Sequence, residues 1–227
     1  LAKLRTAKVS LPGGCVIGVR PVDLHLKGLR SLGVTFEIEN GYVIGDARHL
    51  RGSKIYLGGV FGSSVLATAN VMMAAVLADG ETVIQSAACE PEVEDLGNFL
   101  NAMGAKVVGH GTPTIKIQGV GYLEGEASYT VGPDRIEAGT FILMAAAAQS
   151  NITVHGVAYD QIFVLIDKLE EYGMNFDYEN GSLHVRCPKE GKPVTVTTYP
   201  YPGFPTDLQA QFMVVMAKTP GVSVVID

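Results

Sequence analysis

Residues 12–21 read PGGCVIGVRP, which puts Cys15 five residues ahead of Arg20. A thiol works as a nucleophile through its ionised form, and a nearby cation stabilises that form and makes the thiol a readier proton donor. Pro21 suits the first turn of a helix. The free N–H groups of such a helix start, with Arg20 beside them, make an anion site and would depress the pKa of Cys15. Cys15 reads as either a catalytic thiol or a buried, incidental one, and Arg20 as either an anion contact or a solvated surface cation. The second junction of this kind, AACEPEVED, is an internal control. There Cys89 sits beside Glu90 and Glu92, whose charge favours the neutral thiol, so Cys89 is expected to be inert. Cys187 precedes Pro188 after a strand and carries no evident site chemistry.

The elements that hold these residues belong to a globular chain. It has 227 residues, 47% of them apolar and 18% charged, enough for one large core or two small ones. A net charge of −6 argues against a general nucleic-acid binder, which needs a basic face. No run reaches the roughly 18 apolar residues of a membrane helix, and the start does not resemble a secretory signal. Three irregularly spaced cysteines are no disulfide framework, so a reduced, cytoplasmic protein is expected. The histidines at 25, 49, 110, 155 and 184 lack metal-ligand spacing. They read as structural or exposed, and neither metal nor cofactor is expected.

Two kinds of segment recur with a period of about 70 residues. An amphipathic helix, a glycine and a short hairpin run through Gly33, again through Gly104, and again through Gly173. Val22, Leu26, Leu29 and Leu32 share one face of the first helix; Ile162, Leu165, Ile166, Leu169 and Tyr172 share one of the third. The second kind is a helix apolar nearly all round, followed by a β-branched strand. It occupies residues 65–84 and 138–156, with Met73 aligned on Met144, and plausibly 208–226. A helix apolar on all sides is expected to be buried. The unit is therefore buried helix, strand (roughly 7–11 in the first copy), amphipathic helix, hairpin. Both ends cut through a unit, so the chain reads as an internal portion of a larger repeat protein.

SLPGGCVIGVRPVDLHL, EPEVEDLGNFLNAMGA, PDRIEAGTF and YPGFPTDLQAQF follow one another in that order. Together they resemble the enolpyruvyl transferase family, and within it the branch that acts on UDP-N-acetylglucosamine. The resemblance implies an α/β fold of inside-out barrel lobes built from such repeats. Residues 1–131 would form part of the lobe with the cysteine loop and 134–227 part of the second, with a hinge near 131–134. It implies transfer of the enolpyruvyl group of phosphoenolpyruvate to the 3′-hydroxyl of UDP-N-acetylglucosamine, the first committed step of peptidoglycan synthesis.

By the same resemblance, Cys15 is the loop acid toward the enolpyruvate methylene, able to form a covalent adduct, and the target of fosfomycin. Arg20 faces the phosphoenolpyruvate phosphate and the nucleotide sugar. Pro21, Val22, Asp23 and Leu24 hold the uracil end, and Ser64 and Val65 belong to the diphosphate-binding turn. Asp207 is a general base for the 3′-hydroxyl or orients its proton. Asp23 reads equally as a helix-start acid favoured by the dipole, and Asp207 as a plain cap of its helix. Asp134, Arg135 and Glu137 read as a structural or hinge cluster. Gly62 and Leu66 stand where the family commonly has a lysine and a glycine, and other family site residues fall outside this chain, so an incomplete active site is expected. Two alternatives stay open: a non-catalytic nucleotide-binding repeat module, and the 3-phosphoshikimate type of enolpyruvyl transferase, which has no equivalent loop cysteine.

Overall fold

A computed structural model describes residues 1–11, 22–60, 62–125 and 128–227. Cys15, Arg20 and Pro21, with the glycine-rich loop around them, lie outside the described residues. The chain divides into two compact units, Leu1–Thr130 and Val131–Asp227.

The first unit runs β1 (Thr6–Ser10), α1 (Asp23–Ser31), β2 (Thr35–Glu39), β3 (Tyr42–Asp46), β4 (Lys54–Tyr56), α2 (Val65–Ala75), β5 (Glu81–Gln85), α3 (Pro91–Ala102), β6 (Lys106–Val108) and β7 (Thr114–Gln118). The second runs α4 (Arg135–Ala148), β8 (Ile152–His155), α5 (Phe163–Tyr172), β9 (Asn175–Glu179), β10 (Ser182–Arg186), β11 (Val196–Thr197), α6 (Gln209–Ala217) and β12 (Val225–Ile226). In each repeat the first strand pairs antiparallel with the second strand of the hairpin. The sheet orders are β1-β3-β2, β4-β5-β7-β6 and β8-β10-β9.

The repeat is also written in the backbone at the helix ends. Gly33, Gly104 and Gly173 have φ of +92°, +92° and +113°, which glycine adopts without a steric cost. Beyond each glycine an N–H reaches back to a leucine carbonyl: Val34 to Leu29, Ala105 to Leu100 and Met174 to Leu169. These are Schellman closures, with a buried apolar residue just past the turn. Two of the hairpins turn on Asn40-Gly41 and Asn180-Gly181, both residues at positive φ as a two-residue type I′ turn requires.

Two cores result. Leu32, Ile55, Leu57, Val71, Met72, Ile84, Ile115 and Ile117 centre the first, and Ile142, Leu143, Leu165, Leu169 and Phe212 the second. The apolar helices differ from expectation. They are buried on one side and open on the other: Met73 and Met144, the pair aligned by the repeat, are 43% and 55% exposed. Leu66, Phe141, Met213 and Val214 are exposed as well. Apolarity all round tells that a helix avoids water on every side. One layer of sheet and helix can cover only the side it packs against, and among the described residues no second layer covers the other.

Candidate functional site

α1 lies hard against α2 because of Gly28. A Cβ there would overlap Val71 Cγ2 and stand 3.0 Å from Leu57 Cδ2. The two helices also meet through His25 Nδ1 and Asn70 Nδ2, 2.8 Å apart. Val22, Ser64 and Val65 line one open groove of about 1430 Å³. Asp23, exposed, and Leu24, half-buried, follow Val22 in the first turn of α1. The groove is mostly apolar. Its charged lining residues among those described are Lys3 and Arg5, both cationic, in a chain whose net charge is −6. A wall of one sign focuses potential and favours an anionic ligand.

Ser64 is the N-cap of α2, and its Oγ accepts from the Ala67 N–H at 3.3 Å. The hydroxyl proton remains free to donate. The first turn of α2 carries no acidic residue, so the positive end of its dipole faces outward uncompensated. α5 and α6 likewise open without an acid but have no side-chain cap, whereas other helix starts carry acids. α3 carries Glu92 and Glu94 in its first turn, and α4 is capped by Asp134, whose Oδ1 accepts from Ile136 N at 2.8 Å and Glu137 N at 3.0 Å. Of the Asp134, Arg135 and Glu137 cluster, Asp134 thus acts as a cap, while the Arg135 guanidinium lies 5.5 Å from the centre of the Tyr201 ring.

Gly62 and Leu66, expected to depart from the pattern of the family the sequence resembles, sit at this helix start. Gly62 has φ +93° and exchanges backbone hydrogen bonds with Gly59, at 2.7 and 3.2 Å. Any side chain there would be strained. Leu66 is 68% exposed and lines the groove.

His25 was not singled out by its type or spacing. The structure pairs its Nδ1 with Asn70 Nδ2 at 2.8 Å, joining α1 to α2 along the groove. Burial lowers its pKa, against the opposing charge of Asp23. No sequence signal connects positions 25 and 70.

Asp207 belongs to the second unit. It lies in a short 3₁₀ turn, Thr206–Leu208, ahead of α6, and is exposed. Neither that turn nor α6 has a side-chain cap, so the plain-cap reading of Asp207 finds no hydrogen bond to rest on. Cys89 has its thiol pushed up, first by burial and then by Glu90. Burial also pushes up Cys187, whose Sγ donates to the Ser150 carbonyl at 3.1 Å. Among the described residues no group of three His, Cys, Asp or Glu could hold a metal ion, and no helix is long and apolar enough to cross a membrane.

A family model described as EPSP synthase (3-phosphoshikimate 1-carboxyvinyltransferase) matches residues 1–226. The chain belongs to the EPSP synthase family. Within this family, UDP-N-acetylglucosamine 1-carboxyvinyltransferase 1 of Caldanaerobacter subterraneus subsp. tengcongensis is 54% identical over 227 residues, covering 100% of this chain and 54% of the relative. UDP-N-acetylglucosamine 1-carboxyvinyltransferase 2 of Carboxydothermus hydrogenoformans is 51% identical, over 99% of this chain and 53% of the relative. The chain spans about half the length of the curated relatives it matches. Among solved structures, the enolpyruvyl transferase NikO from Streptomyces tendae superimposes with a TM-score of 0.78 at 21% identity, over 99% of this chain and 54% of that one. EPSP synthase from Acinetobacter baumannii gives 0.60 at 21%, over 97% and 51%. The mixed α/β fold is thus that of the enolpyruvyl transferases. The family model bears the name of the shikimate-type enzyme, whereas the half-identical relatives bear that of the nucleotide-sugar enzyme. Membership of the EPSP synthase family rests on the first, and any narrower reading on the second.

Proposed function

We propose that the full-length protein transfers the enolpyruvyl group of phosphoenolpyruvate to the 3′-hydroxyl of UDP-N-acetylglucosamine, in the cytoplasm, for peptidoglycan synthesis. The observation that carries this is identity of 46–54% across nearly the whole chain to proteins named for that reaction. The groove supports it: Lys3 and Arg5 are the charged residues lining it among those described, and the start of α2 carries no acid, which suits a diphosphate.

In this reading Val22, Asp23 and Leu24, with Pro21, hold the uracil end, and Ser64 and Val65 the diphosphate. Arg20 faces the phosphates. Addition comes first. The 3′-oxygen bonds to C2 of phosphoenolpyruvate, its proton passes to the Asp207 carboxylate, and the Cys15 thiol protonates the C3 methylene. Elimination follows. The C2–O bond to phosphate breaks, C3 returns a proton to the Cys15 thiolate, the proton held by Asp207 leaves with the phosphate, and the enol ether and inorganic phosphate depart.

The test is ³¹P and ¹H NMR of the full-length protein with both substrates. Inorganic phosphate and vinyl-ether protons should appear in equal amounts, and only when both substrates are present. No phosphate release, or release without a vinyl ether, would overturn the proposal.

A further inference from the structure

We propose that His25 is a further ligand-positioning residue, whose Nε2–H donates a hydrogen bond to a diphosphate oxygen of the nucleotide sugar. This rests on the reading above and adds to it a residue that the sequence pattern left among the structural histidines.

The position follows from both of its neighbours. His25 comes directly after Val22, Asp23 and Leu24, which are assigned to the uracil end. Its ring is tied to Asn70, which lies on α2 beyond Ser64 and Val65, assigned to the diphosphate. His25, Asn70, Val22 and Ser64 all line the same groove. The imidazole therefore lies on the same groove as the residues assigned to both ends of the molecule it would orient.

The protonation state follows from the hydrogen bond. The Asn70 amide nitrogen only donates, and it lies 2.8 Å from Nδ1. Nδ1 must then accept, which leaves the proton of the neutral ring on Nε2. Nε2 has no hydrogen-bond partner among the described residues. Half-burial against α2 disfavours the imidazolium, in opposition to Asp23 on the same helix. The result is a donor whose orientation is fixed before the ligand arrives, and such preorganisation adds affinity by removing an ordering cost.

A histidine that merely clamps α1 to α2 would use Nδ1 alone, and that distinction can be measured. Binding of UDP-N-acetylglucosamine and of uridine, which lacks the diphosphate, is followed by calorimetry in the full-length protein and in His25→Phe and His25→Gln. Phenylalanine keeps the ring and removes the donor; glutamine places an amide N–H near the Nε2 position. A hydrogen bond to a charged oxygen predicts that His25→Phe loses about tenfold in affinity for the nucleotide sugar. Uridine affinity should stay within about twofold, and His25→Gln within about threefold for the nucleotide sugar. In the unmutated protein, imidazole ¹⁵N NMR should show Nδ1 unprotonated throughout and the Nε2–H signal moving when UDP-N-acetylglucosamine is added.

Equal affinity of His25→Phe and the unmutated protein would overturn the proposal and leave the proposed function standing. So would equal losses in the two variants, or an Nε2–H signal that ignores the ligand. Failure of the unmutated protein to bind UDP-N-acetylglucosamine at all would overturn the underlying reading instead.

Discussion

Cys15, Cys89 and Cys187 carry the same side chain in three settings, and their chemistry should differ accordingly. Cys89 and Cys187 both have thiols pushed up by burial, and Glu90 adds to the effect at Cys89. A raised pKa means a smaller thiolate fraction at neutral pH, so both should alkylate slowly there and speed up only as the pH climbs past the usual thiol range. Cys15, with Arg20 five residues away, should react first. Limiting iodoacetamide followed by peptide mapping across pH reads this order directly, and earlier labelling of Cys89 or Cys187 at neutral pH would refute it. The expectation for Cys89 rested on its acidic neighbours; the structure puts burial first and Glu90 second. Asp207 offers the second residue-scale prediction. It makes no capping bond, so Asp207→Asn should leave the unfolding temperature unchanged. Loss of a general base should lower kcat of the full-length protein by about 10²–10⁴ with little change in nucleotide-sugar affinity. A kcat within about threefold of the unmutated protein would return Asp207 to a passive role.

Helix α1 shows how an element can matter more than its propensities. Alanine is a better helix former than glycine by about 1 kcal/mol, so Gly28→Ala would ordinarily stabilise. Here the added Cβ overlaps Val71 Cγ2 on the facing helix, and overpacking of a tight contact costs about 1–3 kcal/mol. Gly28→Ala should therefore lower the unfolding temperature by a few degrees and, by shifting α1, weaken nucleotide-sugar binding. Thermal unfolding with calorimetric titration checks both, and a variant at least as stable as the parent would show that α2 yields easily. The helix ends were legible in advance, because a glycine after an amphipathic run is demanded by φ above zero and needs no tertiary knowledge. The hairpins at Asn40-Gly41 and Asn180-Gly181 were legible for the same reason. One-sided burial of α2, α4 and α6 was not, since an all-round apolar pattern states what a helix avoids and not what covers it. The His25–Asn70 pair was hidden too: a contact between helices 45 residues apart leaves no periodicity to read.

At the scale of the molecule, a 70-residue repeat is realised as three related sheets distributed over two compact units. The period was visible because the same buried and amphipathic faces must recur wherever the same unit packs. Chemistry is less periodic. Repetition explains why helix starts recur, and side chains then distinguish them: α1, α3 and α4 open with acids, α2, α5 and α6 with none, and of these last only α2 has a side-chain cap, Ser64. Ser64 and Val65 were reachable only through the family resemblance, and the structure supplies the physical reason they suit an anion. Which acceptor the protein uses is the central question at this scale. Its most direct test is a competition assay of the full-length protein, supplying phosphoenolpyruvate with UDP-N-acetylglucosamine and 3-phosphoshikimate together and resolving the two enolpyruvyl products by mass spectrometry. The account predicts that the nucleotide-sugar product dominates, with a kcat/KM ratio of at least about 10³, since a site built around polar partners discriminates strongly against an acceptor that leaves them unpaired. Equal use of the two acceptors, or preference for 3-phosphoshikimate, would contradict it.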